Sequence, residues 1–156
     1  MKINLTQNKN FKLFKIISKV AQENNQTVYI VGGYVRDLLM QRKAPTDIDF
    51  VTEQSGIELA KAVGKELGDL KVSVFKTYGT AMIKYKDLDL EFVGARKESY
   101  SEDSRKPAVE TGTLEDDQKR RDFTVNALAI SLNAENFGEL IDPFNGREDM
   151  QNKILR

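Results

Sequence analysis

The sequence predicts an α+β domain, a mixed central sheet of about five strands covered by helices. Three observations carry that prediction. Short strand-like runs recur without the regular strand–helix alternation of a doubly wound sheet. Two of them, Asp47-Ile48-Asp49-Phe50-Val51 and Leu88-Asp89-Leu90-Glu91-Phe92, alternate an acid with an apolar residue, as a strand with one polar and one buried face does. Other stretches show helical periodicity and recognisable helix starts. At 156 residues the chain can bury one core and is short for two.

The elements follow in order. Phe11, Phe14, Ile17 and Ala21, with Leu13, Ile16 and Val20 beside them, recur at helical spacing and predict an amphipathic helix of about four turns. Thr27-Val28-Tyr29-Ile30-Val31 is a strand cut off by Gly32-Gly33, after which Tyr34 to Gln41 reads as helix. Beyond the break at Ala44-Pro45-Thr46 comes the first acid-alternating strand. Ser55-Gly56-Ile57-Glu58 fits a capping box, and Gly68 closes the helix it begins. Lys71 to Phe75, Thr80 to Tyr85 and Leu88 to Val93 read as a meander, with a tight turn near Lys86-Asp87. Lys97 to Gly112 is charged, contains Pro107 and has almost no large apolar residue, so it predicts a mobile loop. Thr113-Leu114-Glu115-Asp116 starts another helix, and Val125 to Leu132 is apolar enough to lie inside. Leu140-Ile141 and the turn Asp142-Pro143-Phe144-Asn145-Gly146 lead to a last helical stretch.

Composition removes several chemistries. With neither histidine nor cysteine, the chain has no imidazole base, no thiolate nucleophile, no disulfide and no histidine- or cysteine-bound zinc. Carboxylates remain as the catalytic groups, and a metal held by them is a hard ion on oxygen, Mg²⁺ first. Lys plus Arg equals Asp plus Glu at 24 each, so no global positive field gathers nucleic acid. No apolar run approaches bilayer length, and the amino terminus lacks a secretory apolar stretch. A cytoplasmic location is the expectation, with no membrane partner.

Residues two apart on a strand share a face, so Asp47 and Asp49 project together. Neighbouring carboxylates repel and hold protons more tightly unless a cation lies between them. An isolated Asp-x-Asp on an edge strand is otherwise simply solvated. Gly32-Gly33 ends a strand and opens a helix, where backbone amides can approach phosphate, and Arg36 adds a cation one turn in. The pair fits neither Gly-x-x-x-x-Gly-Lys-Ser/Thr nor Gly-x-Gly-x-x-Gly. Asp89 and Glu91 share the polar face of their strand, and periodicity leaves open which of them reaches a metal. Arg120-Arg121-Asp122-Phe123-Thr124-Val125-Asn126-Ala127 sets two guanidinium groups, a carboxylate and an amide within two predicted helical turns. Arginine pairs with phosphate by forked hydrogen bonds. A helix-end salt-bridge cluster explains Arg and Asp but not Asn126 within an apolar run.

These pieces, in this order, resemble the bacterial CCA-adding tRNA nucleotidyltransferases and their poly(A) polymerase relatives, within the DNA polymerase beta-like superfamily. The resemblance rests on Gly32-Gly33-Tyr34-Val35-Arg36-Asp37, Asp47-Ile48-Asp49, Glu91 five residues before Arg96, Arg120 to Ala127, and Asp142-Pro143-Phe144-Asn145-Gly146. It implies the nucleotidyltransferase fold for residues 1–156 as a catalytic head, with neck, body and tail lying beyond it. It implies that Asp47, Asp49 and Glu91 hold two Mg²⁺ ions and are the catalytic carboxylates. Glu91 is chosen over Asp89 for its spacing to Arg96. Gly32, Gly33 and Arg36 would then contact the triphosphate, and Arg120, Arg121, Asp122 and Asn126 would position phosphate and ribose. The implied reaction is Mg²⁺-dependent transfer of nucleoside monophosphate from CTP or ATP to the 3′-hydroxyl of tRNA. The alternatives are a poly(A) polymerase, or a nucleotide-binding module without catalysis.

Overall fold

A computed structural model of the chain describes residues 1–99 and 108–156. In chain order its main elements are α1 (Phe11–Glu23), β1 (Tyr29–Val31), α2 (Gly33–Leu39), β2 (Asp47–Thr52), α3 (Gly56–Glu66), β3 (Val72–Phe75), β4 (Thr80–Tyr85) and β5 (Leu88–Gly94). There follow β6 (Arg96–Ser99), β7 (Ala108–Thr111), α4 (Leu114–Lys119), β8 (Ala129–Ser131), β9 (Leu140–Ile141) and α5 (Gly146–Gln151). Short 3-10 turns lie at Lys76–Tyr78, Thr124–Asn126 and Ala134–Asn136.

One mixed sheet of seven strands, ordered β3-β4-β5-β2-β1-β8-β9, forms the frame. Every neighbouring pair is antiparallel except β2 and β5. The expected α+β class is found, with a sheet larger than the five strands anticipated. The apolar stretch from Val125 supplies β8 beside β1, and Leu140-Ile141 supplies β9 beyond it. The segment expected as a loop from Lys97 to Gly112 is different: β6 and β7 pair antiparallel, Arg96 with Thr111 through Ser99 with Ala108. Backbone hydrogen bonding needs no apolar face, so a charged pair of arms can form a ladder that composition does not announce. Residues 100–107, the remainder of that predicted loop, lie outside the described residues.

Two apolar layers hold the sheet. On one face α1 contributes Leu13, Phe14 and Ile17, and α3 contributes Leu59, Ala60 and Val63. They meet Ile30, Ile48, Phe50, Leu90, Phe92 and Ile130 from the strands. The predicted helix starts are present: the Ser55 hydroxyl accepts from the Glu58 N–H at 3.1 Å, and Thr113 with Asp116 forms a reciprocal capping box. On the other face a smaller cluster of Val31, Val51, Ala95 and Ala129 is covered by Leu114 of α4. That cover is partial. Among the described residues it leaves the Asp47 end of β2 and the outer strands β5, β4 and β3 without an apolar lid.

Candidate active site

The acid-alternating strands fold as their pattern requires. Ile48, Phe50, Leu90 and Phe92 are fully buried, Asp49, Asp89 and Glu91 are half-buried, and Asp47 is exposed. In the parallel β2–β5 pair Asp49 lies opposite Glu91 and Asp47 opposite Asp89. On the reverse face Phe50 lies opposite Phe92, with ring centroids 5.0 Å apart and planes 15° from parallel. Burying each phenyl ring contributes about 1.5–3 kcal/mol. A slip of one residue in either strand would expose that strand's ring and send its acid into the core, so the stack fixes the acid register.

Burial raises the Asp49 carboxyl above the ordinary carboxylate value; the Arg121 guanidinium pulls it back down, and the charges of Asp47 and Asp117 push it up. Burial also raises Glu91, with Asp49 and Asp47 adding to the rise and Arg121 opposing it. The three acids therefore feel one another across two adjacent strands. Among the described residues no three acidic side chains are drawn into a ready-made cation cage. The strand register sets their spacing, and Arg121 supplies a compensating charge beside Asp49. An all-oxygen donor set on one face suits a hard divalent ion.

The glycine turn sits directly against this cluster. Gly32 has φ +75 and ψ −144, a conformation open essentially to glycine alone. A β-carbon there would stand 3.5 Å from Arg121 Nη1 and 3.6 Å from Asp49 Oδ2. Arg36 folds back over Gly33. Its Nε donates to Asp37 at 3.1 Å and its Nη1 to Asn126 Oδ1 at 2.9 Å. That bond answers why an amide interrupts the apolar run: Asn126 holds Arg36 from across the cleft.

The block from Arg120 to Ala127 is not a continuous helix. α4 ends at Lys119, Arg120 is its C-cap, and only Thr124–Asn126 resumes a 3-10 turn. Its order comes from buried side chains of α4. Asp117, wholly buried, accepts from Arg120 Nη2 at 2.9 Å and from Arg121 Nε and Nη2, both at 3.1 Å. This fork occupies two of the three Arg121 nitrogens and leaves Nη1 facing Gly32. Gln118 ties the helix down by donating to the carbonyls of Ala127 at 2.9 Å and Ile141 at 3.1 Å. Below the turn, the Thr124 hydroxyl donates to Asp149 at 2.6 Å, and its N–H donates to the Arg156 carbonyl at 2.9 Å. Asp117 escaped the motif reading, although its spacing of three and four residues to Arg120 and Arg121 is the helical ion-pair signal.

One cleft of ≈ 380 Å³ collects Gly32, Gly33, Arg36, Asp49, Arg120, Arg121, Asp122 and Asn126. Asp47 and Glu91 are not in its lining and flank Asp49 along and across the strands. Residues 28–156 match the family described as the poly A polymerase head domain. The chain belongs to that family. The A-adding tRNA nucleotidyltransferase of Aquifex aeolicus is 47% identical over 128 residues, 82% of this chain and 15% of that protein. A CCA-adding enzyme of a Geobacillus species is 36% identical over 141 residues, 89% of this chain and 32% of that one. Among solved structures, a tRNA-processing enzyme in an apo form matches with TM-score 0.85 at 40% identity, covering 100% of this chain and 38% of that one. A tRNA nucleotidyltransferase complexed with a primer tRNA and an incoming ATP analogue matches at TM-score 0.77 and 41% identity, covering 90% and 38%. The poly A polymerase head domain described here thus has the DNA polymerase beta-like fold of CCA-adding enzymes. It spans 15–35% of the length of the first curated relatives it matches. No described helix is long and apolar enough to cross a membrane.

Proposed function

We propose that the chain is the catalytic head of a tRNA nucleotidyltransferase. It transfers nucleoside monophosphate from CTP or ATP to the 3′-hydroxyl of tRNA and releases pyrophosphate. The observation that carries this reading is the single cleft in which a glycine turn, three arginines, Asp122 and Asn126 surround Asp49, with Glu91 in register beside it. In the reaction the hydroxyl oxygen forms a bond to the α-phosphorus, the bond from that phosphorus to the bridging oxygen breaks, and the hydroxyl proton passes to water. Mg²⁺ held by Asp47, Asp49 and Glu91 would acidify the hydroxyl and neutralise charge on the departing pyrophosphate. Arg36 and the free Nη1 edge of Arg121 bind the triphosphate, which is anionic where the arginines are fixed. Arg120, Asp122 and Asn126 line the side of the cleft suited to phosphate and ribose hydroxyls. With no histidine, these 156 residues supply no imidazole base of their own.

A second reading is addition of A alone. It is favoured by the names of three relatives, A-adding enzymes 47%, 41% and 36% identical to this chain. Supplying the protein with tRNA lacking its 3′ CCA, and separately with tRNA ending in CC, decides between them. CMP then AMP incorporation on the first substrate supports CCA addition; AMP incorporation on the second alone establishes the A-adding reading. A long A tail on unrelated RNA would indicate a poly(A) polymerase. Nucleotide binding without transfer, indifferent to Mg²⁺, would overturn catalysis altogether.

A further inference from the structure

The open face of the sheet beside the carboxylates has no role in the reading above. We propose that the β3–β4 hairpin is the platform on which the single-stranded 3′ end of the RNA acceptor lies as it enters the site, an inference that rests on the transferase reading. Continuity is the first argument. The register runs Asp49 to Glu91 to Met82 to Ser73 across β2, β5, β4 and β3, so all four belong to one row of the sheet. The next row on the same face is Val51, Val93, Thr80 and Phe75. Phe75 thus lies two strands and two residues from Glu91, roughly 12 Å by ordinary strand spacings. α1 and α3 pack on the other face, and among the described residues no helix covers this one at β3 and β4.

Charge is the second argument. From Leu70 to Lys86 the chain has four lysines, Lys71, Lys76, Lys84 and Lys86, and no acidic residue, although the protein as a whole is neutral. All four are exposed, and among the described residues none is in an ion pair. The acids of this face, Asp47, Asp49, Asp89 and Glu91, are confined to β2 and β5. The face therefore divides into an acidic half suited to cations and a basic half suited to phosphates.

The third argument is aromatic. Phe75 is 47% exposed and Tyr78 is 61% exposed, on or just beyond β3. Lysines interleaved with exposed rings match single-stranded nucleic acid, whose phosphates seek cations and whose bases stack on aromatic faces. A protein partner fits less well, because lysine is depleted from the cores of protein interfaces.

The test is fluorescence anisotropy of a labelled single-stranded oligoribonucleotide ending in CC, titrated with protein at several salt concentrations. Phe75→Ala is expected to weaken binding about tenfold. The double variant Lys76→Ala/Lys84→Ala is expected to lower the salt slope by about 1.4, about 0.7 for each lost phosphate contact. Affinity for a non-hydrolysable ATP analogue should stay unchanged in both. Absent RNA binding by the wild-type protein, equal binding by the variants, or a matching loss of ATP-analogue affinity would each overturn the platform. RNA binding that follows these expectations in a protein that transfers no nucleotide would remove the transferase reading and leave the surface standing.

Discussion

The Asp117 fork gives the sharpest test of how the cleft is organised. Asp117→Asn preserves shape but removes the charge that two guanidinium groups share, and turns one oxygen into an amide that faces a donor. Removing one partner of a buried ion pair costs about 3–5 kcal/mol. The Arg120 arm is 46% exposed and adds little, since a solvated pair is worth at most about 1 kcal/mol. The Arg121 arm, 21% exposed and bound through two nitrogens to a wholly buried carboxylate, carries most of the effect. The lower end of the range, about 3 kcal/mol, is therefore expected. Urea unfolding should show a reduced midpoint with an unchanged slope. Because Arg121 then loses its fixed orientation, the KM for ATP should also rise. Combining Asp117→Asn with Arg121→Gln should cost much less than the two singles together, since both remove one interaction. Additivity to within about 0.5 kcal/mol would refute the reasoning, as would a variant with wild-type stability and nucleotide affinity.

Asp49→Asn should abolish transfer and yet stabilise the fold. The native Asp49 binds its proton more tightly than the unfolded chain does, so wild-type stability falls as pH rises from the ordinary carboxylate value through the raised native one. Melting curves from about pH 4 to about pH 8 should show the variant's advantage growing with pH, and a constant or shrinking gap contradicts the burial argument. Gly32→Ala should cost about 1–3 kcal/mol through backbone conformation, because the added methyl meets its nearest atoms only at 3.5 and 3.6 Å; a loss of nucleotide binding without loss of stability would point to a collision with ligand instead. Gly146→Ala should be more severe, about 3 kcal/mol, because its β-carbon would fall on the Thr124 carbonyl. Denaturant titration checks it, and a neutral result would refute the clash with the Thr124 carbonyl.

The parts most legible in the sequence were those in which one pattern answered to one force. Acid–apolar alternation in residues 47–51 and 88–92 anticipated which side chains enter the core. β4 runs from Thr80 to Tyr85, the limits its pattern sets. Legibility failed where long-range pairing outweighed local composition. β6 and β7 pair backbone to backbone in a stretch whose composition carries no strand pattern, and β8 is three residues whose strand character depends on lying beside β1. The Arg120–Ala127 block looked helical because its residues suit a helix, but α4 stops where Asp117 captures both arginines. Asp117 itself was hidden in an acidic run at a helix start, where acids are ordinary dipole partners. Only the fold turns one of them inward.

The lone parallel junction in the sheet has a consequence for how catalysis is acquired. Parallel neighbours cannot be joined by a tight turn, so α3 and the β3–β4 hairpin must be threaded between Asp49 and Glu91 before the two meet. Contacts so distant along the chain form slowly. A fragment that lacks either β2 or β5 cannot assemble the carboxylate pair. A nascent chain therefore cannot pair these carboxylates before β5 has been made, and recovery of turnover during refolding should trail the return of helical signal.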